Sequence, residues 1–305
     1  MGTVNISKLH HLTGHNDCVY TLEQSQYPHI FFSGAGDGMV VSWDLNDPEN
    51  GVLIAKLPNS IYGLHYAHQQ ELLLVGHNYD GIHFIDWQSK KEVGSLNMTK
   101  SAIFDIKTAN GLAYIGDASG VITVVDIMSL TIVNKVEASS ESVRTLAINV
   151  PGDEIAAGYS DNKIRVFNRS DLTLKYTLTS HENSVFTLRY SPDYQLLLSA
   201  GRDAHLKIWD VKADYLLLQD IVAHMFAINN IDYSPEGKHF VTCSMDKSIK
   251  VWDATTFKLL KVIDKARHAG HGTSVNKLLW SSHDALLISA SDDRTISVWD
   301  VEVGQ

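Results

Sequence analysis

The sequence predicts an all-β fold made of seven repeated units, each with four short strands. Three observations support this prediction. A Trp-Asp pair recurs along the chain, the same polar residues precede each pair at fixed spacings, and short segments of alternating apolar and polar residues are separated by turn residues. Alternation with a period of two is typical of strands, and self-similarity at a fixed period is typical of repeat architectures.

Four of the units share four residue types at fixed distances. They end at "SWD" (42–44), "IWD" (208–210), "VWD" (251–253) and "VWD" (298–300). In each unit a His is followed by a Ser or Thr 18 residues later, an Asp 22 residues later and a Trp 28 residues later. These four sets, called tetrads below, are His15, Ser33, Asp37, Trp43; His181, Ser199, Asp203, Trp209; His224, Thr242, Asp246, Trp252; and His271, Ser289, Asp293, Trp299.

Three weaker units fill the gap between the first unit and the fifth. They end at Asp86, Asp126 and Asn168, so the seven final positions are separated by 42, 40, 42, 42, 43 and 47 residues. Their tetrad positions predict that apolar packing replaces part of the polar network. These positions hold Leu57, Val75, Tyr79, Ile85; Thr99, Ile115, Ser119, Val125; and Ser139, Ala157, Asp161, Phe167. Because the seven units cover the chain, we expect residues 1–305 to form a single domain.

The fifth unit shows the strand pattern most clearly. It contains the strand-like segments "SVFTLRY", "QLLLSAG", "LKIWD" and "YLLLQDIV", with a "SPDY" turn between the first two. A four-stranded unit with Gly-His at one end and Trp-Asp at the other resembles the WD-repeat β-propeller family. The resemblance covers residues 5–303 and implies a seven-bladed β-propeller. Unit 3, "LAYIGDASGVITVVDIMSLTIVNKVE", is similar to the Tyr-Val-Thr-Asn repeat of lactonase-like propellers.

The last unit supplies only three strands before the sequence stops at residue 305. The segment "NISKLHHL" (5–12) precedes the first Gly-His, alternates like a strand and belongs to no unit of its own. We therefore expect residues 5–12 to be the outer strand of blade seven. This pairing closes the ring and leaves no unfinished blade between the termini.

The tetrads contain Ser, His and Asp, which are the residue types of a hydrolase triad. A hydrolase needs one triad, whereas this chain has four with a Trp in each, and the hydroxyls lie within strands rather than on a sharp exposed turn. The resemblance implies a structural hydrogen-bond chain from Asp through His and Ser or Thr to the Trp indole. Each buried polar group then has a partner.

Composition excludes several classes of protein. A net charge of −10 disfavours nucleic-acid binding, which depends on Lys and Arg neutralising phosphates. The sequence has no long apolar run and no signal-peptide pattern at its start. Cys18 and Cys243 are too few for a disulfide framework. These features predict a cytoplasmic protein that binds neither nucleic acid nor membranes.

Signals for catalysis or for a metal are weak. In "HYAH", His65 and His68 lack a Cys or Glu to complete a ligand set, and in "RHAGH", His268 lies near His271, which belongs to a tetrad. We therefore expect no metal, no cofactor and no enzymatic activity. The alternative is a lactonase-like enzyme that acts on a small molecule in the central channel. A cluster of ionisable residues at one channel mouth favours that alternative, whereas a ring of aromatic residues favours peptide binding.

The predicted function is a scaffold that binds a protein or peptide. In the family, the position five residues after each tetrad His lines the channel mouth on the face that carries these His residues, called the tetrad-His face below. In this sequence that position holds Tyr20, Tyr62, Phe104, Arg144, Phe186, Asn229 and Asn276. Acidic residues lie nearby in sequence, at Asp17, Asp105, Glu141 and Glu182. An aromatic mouth with an acidic surround predicts a partner that inserts an Arg or Lys side chain, held by cation–π attraction. The alternative is that these aromatic residues only pack across the channel.

The longest step between units contains a basic loop. The surplus residues fall in "DKARHAGH" (264–271), where Lys265, Arg267 and His268 make the loop basic in an acidic protein. We predict a lid or clamp beside the channel mouth that contacts an acidic group. The alternative is a tolerated surface insertion, because loops accept added length at low cost.

Overall fold

The computed structural model describes residues 4–304, which form a ring of seven four-stranded antiparallel sheets. The predicted all-β, seven-bladed β-propeller is therefore confirmed. In the first six blades the strands follow the chain order from the innermost strand to the outermost, whereas blade seven takes its outermost strand from the beginning of the chain.

From the innermost strand to the outermost, blades one to three are β2 (Val19–Gln24), β3 (Ile30–Ala35), β4 (Met39–Asp44), β5 (Asp47–Lys56); β6 (Leu64–Ala67), β7 (Leu72–His77), β8 (Gly81–Asp86), β9 (Lys91–Asn97); and β10 (Ile103–Ala109), β11 (Leu112–Asp117), β12 (Val121–Asp126), β13 (Thr131–Glu137). Blades four and five are β14 (Val143–Asn149), β15 (Glu154–Tyr159), β16 (Ile164–Asn168), β17 (Leu174–Leu178); and β18 (Val185–Tyr190), β19 (Leu196–Gly201), β20 (His205–Asp210), β21 (Leu216–Val222). Blades six and seven are β22 (Ile228–Tyr233), β23 (His239–Ser244), β24 (Ile249–Asp253), β25 (Leu259–Ile263); and β26 (Val275–Trp280), β27 (Leu287–Ser291), β28 (Ile296–Val303), β1 (Val4–Leu12).

The strand β1 closes the ring. It pairs antiparallel with β28, from Val4 opposite Val303 to Leu12 opposite Ile296. Its side chains alternate between exposed and partly buried, with Val4 and Leu12 buried at the two ends. The predicted closure of blade seven by the N-terminal strand is confirmed.

Burial in each blade follows from its position between two neighbours. Central strands are covered on both faces by adjacent blades and are almost continuously apolar, as in β19, where every residue after Leu196 is buried. The outermost strands have one face toward solvent, so β9 and β13 begin with three exposed residues and then alternate between half-buried and exposed residues. The pattern of apolar and polar residues in a strand thus indicates whether the strand is central or outermost in its blade.

The innermost strands are tied to one another across blade boundaries. A polar side chain near the middle of one strand accepts a hydrogen bond from a backbone N–H of the next blade. Four such bonds run from blade three to blade seven: Leu146 to Asp105 (2.7 Å), Leu188 to Thr145 (3.3 Å), Ile231 to Thr187 (3.2 Å) and Leu278 to Asn230 (3.1 Å). These bonds satisfy backbone groups that face the channel and fix the blades around it.

Helical structure is minor. The one helix in the described residues is α1 (Lys265–His268), a single turn between β25 and β26. No helix in that part of the chain has the length and apolar character needed to cross a membrane.

Candidate functional site

The four tetrads form continuous hydrogen-bond chains. In each, the Trp indole N–H donates to the Ser or Thr hydroxyl, the hydroxyl contacts His Nε2, and His Nδ1 contacts the Asp carboxylate. The indole-to-hydroxyl distances in chain order are 2.8, 2.8, 2.9 and 2.8 Å. The hydroxyl-to-His distances are 2.7, 2.7, 2.7 and 2.9 Å, and the His-to-Asp distances are 3.2, 2.8, 2.9 and 2.9 Å.

These chains have the geometry of a structural network. The four hydroxyl-bearing residues, Ser33, Ser199, Thr242 and Ser289, are fully buried, so none can meet a substrate. Burial lowers the pKa of His224 more than the Asp246 carboxylate raises it. Burial acts to raise the pKa of Asp246, but the hydrogen bond and charge of His224 reverse this and hold that pKa below its ordinary value.

Blades two to four replace the tetrads in different ways. The positions of the tetrad hydroxyls hold Val75, Ile115 and Ala157, all fully buried. In blade three the Thr99 hydroxyl donates to Asp117 at 2.8 Å. In blade four the Ser139 hydroxyl donates to Asp161 at 2.8 Å, and Arg165 pairs with the same carboxylate at 2.7 Å. In both blades, the loop before the innermost strand therefore stays hydrogen-bonded to the end of the second strand or to the turn after it, although the Trp and His are absent.

The seven sequence-predicted mouth residues all line one cavity at the tetrad-His end of the channel. Its volume is about 720 Å³, and we call it the mouth. The seven residues are Tyr20, Tyr62, Phe104, Arg144, Phe186, Asn229 and Asn276. Equivalent positions of a closed ring lie at one level of the channel, which is why residues so distant in sequence come together here.

The aromatic residues of the mouth form a continuous arc. The ring centres of Tyr20 and Tyr62 are 4.8 Å apart, and those of Tyr62 and Phe104 are 5.7 Å apart. The Arg144 guanidinium lies between Phe104 and Phe186, with 4.0 and 5.0 Å between its central carbon and the two ring centres. Both distances are within the range of cation–π attraction, so Arg144 is held in place by its neighbours.

The two amides of the ring make contacts within the protein. Asn229 Nδ2 donates to the Val275 carbonyl at 2.8 Å. Asn276 Nδ2 donates to the Val19 carbonyl at 3.0 Å and to the Asp292 carboxylate at 2.8 Å. They connect blade six to blade seven and blade seven to blade one, so part of their hydrogen-bonding capacity is already used.

The charges around the mouth differ from the expected acidic surround. Three cationic residues line it, Lys100, Arg144 and Lys277, against the single carboxylate of Asp105. That carboxylate pairs with Lys107 at 2.9 Å and accepts the Leu146 N–H. The other three acidic residues singled out in the sequence are not among the lining residues.

Lys277 lies deeper in the channel. Burial and the nearby Lys107 charge lower its pKa, although the carboxylates of Asp105, Glu23 and Asp232 act in the opposite direction. Burial disfavours the charged form of Lys277, whereas the three surrounding carboxylates favour it.

The opposite mouth of the channel carries ionisable residues in pairs. His65 and Glu23 are 3.0 Å apart, and Arg189 and Asp232 are 2.8 Å apart. Burial acts to raise the pKa of Glu23, but His65, Lys107 and the backbone N–H of Tyr66 together outweigh it, and the pKa falls to about 2. Glu23 also accepts the backbone N–H of Tyr66 across the blade boundary. Both ion pairs therefore connect neighbouring blades.

An exposed apolar patch on the tetrad-His face was missed by sequence reasoning. Met225, Phe226 and Met245 are 82%, 60% and 53% exposed. They are adjacent because the Met245 N–H donates to the Ala227 carbonyl at 3.0 Å and the Ser244 hydroxyl donates to the Phe226 carbonyl at 3.1 Å. The signal was visible in the sequence: "HMFAI" after His224 has Met-Phe where the other tetrad units have polar pairs or Gly-Thr.

The predicted clamp loop lies at the rim. Lys265, Arg267 and His268 form α1, which packs against β1, and Lys8 Nζ donates to the Ala269 carbonyl at 3.0 Å. Arg267 pairs with Asp264 at 2.7 Å, so its charge is engaged within the loop. None of these residues is among those that line the mouth. A clamp over the mouth stays a prediction that this placement does not favour.

Comparison with known proteins points to one repeat family. The model of the family described as WD domain, G-beta repeat matches residues 6–44, 130–168, 172–210, 216–253 and 262–300. The matches include unit 4, which lacks a tetrad, and leave out units 2 and 3.

Curated relatives are similar over part of the chain. A WD repeat-containing protein of Schizosaccharomyces pombe is 29% identical over 114 residues, covering 37% of this chain and 28% of its own. The periodic tryptophan protein 2 homolog of Mus musculus is 29% identical over 40% of this chain and 13% of its own. The striatin homolog of Dictyostelium discoideum is 25% identical over 64% of this chain and 26% of its own. The chain thus spans less than a third of the length of these relatives.

Among solved structures, the WD40 β-propeller domain of Doa1 superposes with a TM-score of 0.85, over 97% of both chains. Its sequence identity to this chain is 18%, so the likeness establishes the fold alone.

Proposed function

The chain belongs to the WD domain, G-beta repeat family, and we propose that it is a non-enzymatic scaffold that binds a protein or peptide at the mouth on the tetrad-His face. Propellers of this family present rigid surfaces suited to protein interaction, and loops on a rigid frame are where binding residues concentrate. The buried tetrad hydroxyls remove the one catalytic-looking constellation in the sequence from contact with a substrate.

The observation that carries this proposal is the placement of Arg144 between Phe104 and Phe186 at the wall of an open cavity. Aromatic residues and Arg are the residue types enriched among binding hot spots. Because the two rings hold the guanidinium, little side-chain entropy is lost when a partner contacts it. The arc from Tyr20 to Phe104 supplies apolar area next to the charge.

The partner residue that fits this mouth is acidic, in place of the basic residue that the sequence predicted. The cation–π position is already occupied by Arg144, and a second cation there meets Lys100 and Lys277 as well. A carboxylate can instead accept two parallel hydrogen bonds from a guanidinium, which is the strong form of this interaction. Lys100 lines the same cavity and attracts the same carboxylate.

The apolar patch of Met225, Phe226 and Met245 extends the binding surface on the same face. Exposed apolar patches of this kind mark interaction sites, and Met adapts its shape to a partner. We assign to the partner a segment with an acidic residue for the mouth and apolar residues beside it.

Selection from a displayed random-peptide library tests the proposal directly. Peptides selected on the full chain are expected to be rich in Asp or Glu next to apolar residues, and to be lost when the selection is repeated on Arg144→Gln. The matched control is Arg189→Gln, which removes an Arg from the opposite mouth and leaves the enrichment unchanged. Basic peptides, or enrichment that survives Arg144→Gln, contradict the proposal.

A further inference from the structure

A cluster of potential metal ligands lies in blade two, where β7 turns into β8. His77 is the last residue of β7, Asp80 lies in the turn, and His83 lies within β8. One nitrogen of each His and one carboxylate oxygen of Asp80 are all within 4.8 Å of one another. The three residues stand at equal spacing in "HNYDGIH" (77–83), a pattern that the sequence alone did not connect to a metal.

The distances match the spacing of ligands around a small metal ion. His77 Nδ1 lies 3.2 Å from His83 Nε2 and 3.5 Å from Asp80 Oδ2. Nitrogen and oxygen ligands bind Zn²⁺ at about 2.0–2.2 Å, so two ligands at a tetrahedral angle are roughly 3.3 Å apart. The three atoms can therefore move by a few tenths of an ångström, on the order of the spread in zinc–ligand distances, and share one ion.

Each of the three groups has a second partner that orients it. Glu92 accepts from His83 Nδ1 at 3.1 Å, which leaves the Nε2 lone pair directed into the cluster. His77 Nε2 lies 3.4 Å from the Asn59 side-chain nitrogen, which also donates to the Asn78 carbonyl at 3.3 Å. When this amide is turned over, its oxygen can accept the Nε2 proton, and the hydrogen bond to Asn78 is given up. Asn97 donates to the other carboxylate oxygen of Asp80. A carboxylate behind a ligating His is the usual outer arrangement of zinc sites.

We propose that His77, Asp80 and His83 bind a divalent transition-metal ion of the zinc type. Two imidazoles and one carboxylate are a donor set that Zn²⁺ takes with its fourth position left open. The Asp80 side chain is 45% exposed, so the cluster is open to solvent on this side, where water or a donor from a partner can approach a bound ion.

The site borders the mouth. Tyr79 lies in the same turn, with a left-handed backbone φ of 71°, and its side chain lines the mouth. A bound ion fixes the turn on both sides of Tyr79 and so fixes this part of the mouth. The metal site itself does not depend on the proposed binding function.

Titration of the chelator-stripped full chain with Co²⁺ tests the site, because Co²⁺ replaces Zn²⁺ and reports its geometry by visible absorption. One tightly bound Co²⁺ per chain with the intense absorption of a four- or five-coordinate ion is expected. His83→Phe should abolish that absorption. Glu92→Gln, at an exposed carboxylate whose loss leaves the fold intact, should weaken binding by about tenfold or more.

The matched control is His205→Phe. His205 and Asp220 form a pair at 2.6 Å in blade five that resembles half of the cluster, and no third ligand joins this pair within residues 4–304. This variant should bind Co²⁺ like the parent chain. Absence of saturable binding, or equal loss in His205→Phe and His83→Phe, overturns the proposal and leaves a metal-free hydrogen-bond cluster in its place.

Discussion

The guanidinium carbon of Arg144 lies 4.0 Å from the ring centre of Phe104, so the protein supplies its own cation to the aromatic arc of the mouth. The two residues belong to adjacent blades and lie 40 positions apart in the sequence. Their contact is the basis on which we propose an acidic partner residue, and it connects the architecture to the proposed function. The rest of the fold can be tested through the tetrads and the closure of the ring.

The tetrad of blade five should stabilise the fold in two measurable ways. Trp209→Ala removes a nearly fully buried ring and should cost about 3–5 kcal/mol of unfolding free energy. His181→Ala removes one hydrogen-bond partner from Ser199 and one from Asp203 and should cost about 1–3 kcal/mol. Urea unfolding measures both, with the exposed His68→Ala as a control. A His181→Ala protein as stable as this control contradicts the structural role of the tetrad.

Removal of β1 should open the ring. Deletion of residues 1–12 takes away the strand that pairs with β28. It also removes Lys8, whose Nζ lies 5.5 Å from the ring centre of Trp299. The melting temperature should fall, and an added peptide of residues 4–12 should restore part of the loss. An unchanged melting temperature contradicts closure by this strand.

Stability should decrease as the pH falls below neutrality. Burial lowers the pKa of His224 in the folded state, so the unfolded chain takes up a proton first, near about pH 6.5. The contribution of His224 is therefore complete above that pH and is lost as the pH falls through the lower folded value. Denaturant unfolding between pH 7.5 and pH 5.5, on the order of one unit either side of this value, measures the slope.

The variant His224→Gln replaces the imidazole with an amide, which can still form hydrogen bonds but has no proton to gain. Its stability should depend less steeply on pH over this range than that of the parent chain. His68→Gln, at an exposed position, should leave the slope unchanged. Equal slopes for His224→Gln and the parent chain contradict a titrating role for His224.

The sequence determined more of the fold than of the site. Strand periodicity and the tetrads were enough to predict seven blades and the pairing of β1 with β28, because these depend on local pattern and on ring closure. The seven mouth positions could also be predicted, since equivalent positions in repeated units share one level of the channel. What each side chain contacts there could not be predicted.

The missed features depend on side-chain conformation across blade or strand boundaries. Nothing local in the sequence shows that Arg144 packs between two rings, or that Asn276 donates to the carbonyl of Val19. The length of the loop before His271 indicated an insertion but not that α1 packs at the rim. His77 and His83 are brought together by the register of β7 on β8, which a turn with one more residue would change.

The most direct test of the central claim is the affinity of a selected acidic peptide for two mouth variants. The double variant Tyr62→Ala/Phe104→Ala removes the aromatic arc and one ring beside Arg144, and Arg144→Met removes the charge but keeps the length of the side chain. Tyr194→Ala, at the opposite mouth, is the control. Isothermal titration should show at least tenfold weaker binding for both mouth variants, about 1.4 kcal/mol, with unchanged folding stability. Parent-like affinity in folded Arg144→Met and in the double variant would show that the mouth is packing and that the partner binds elsewhere.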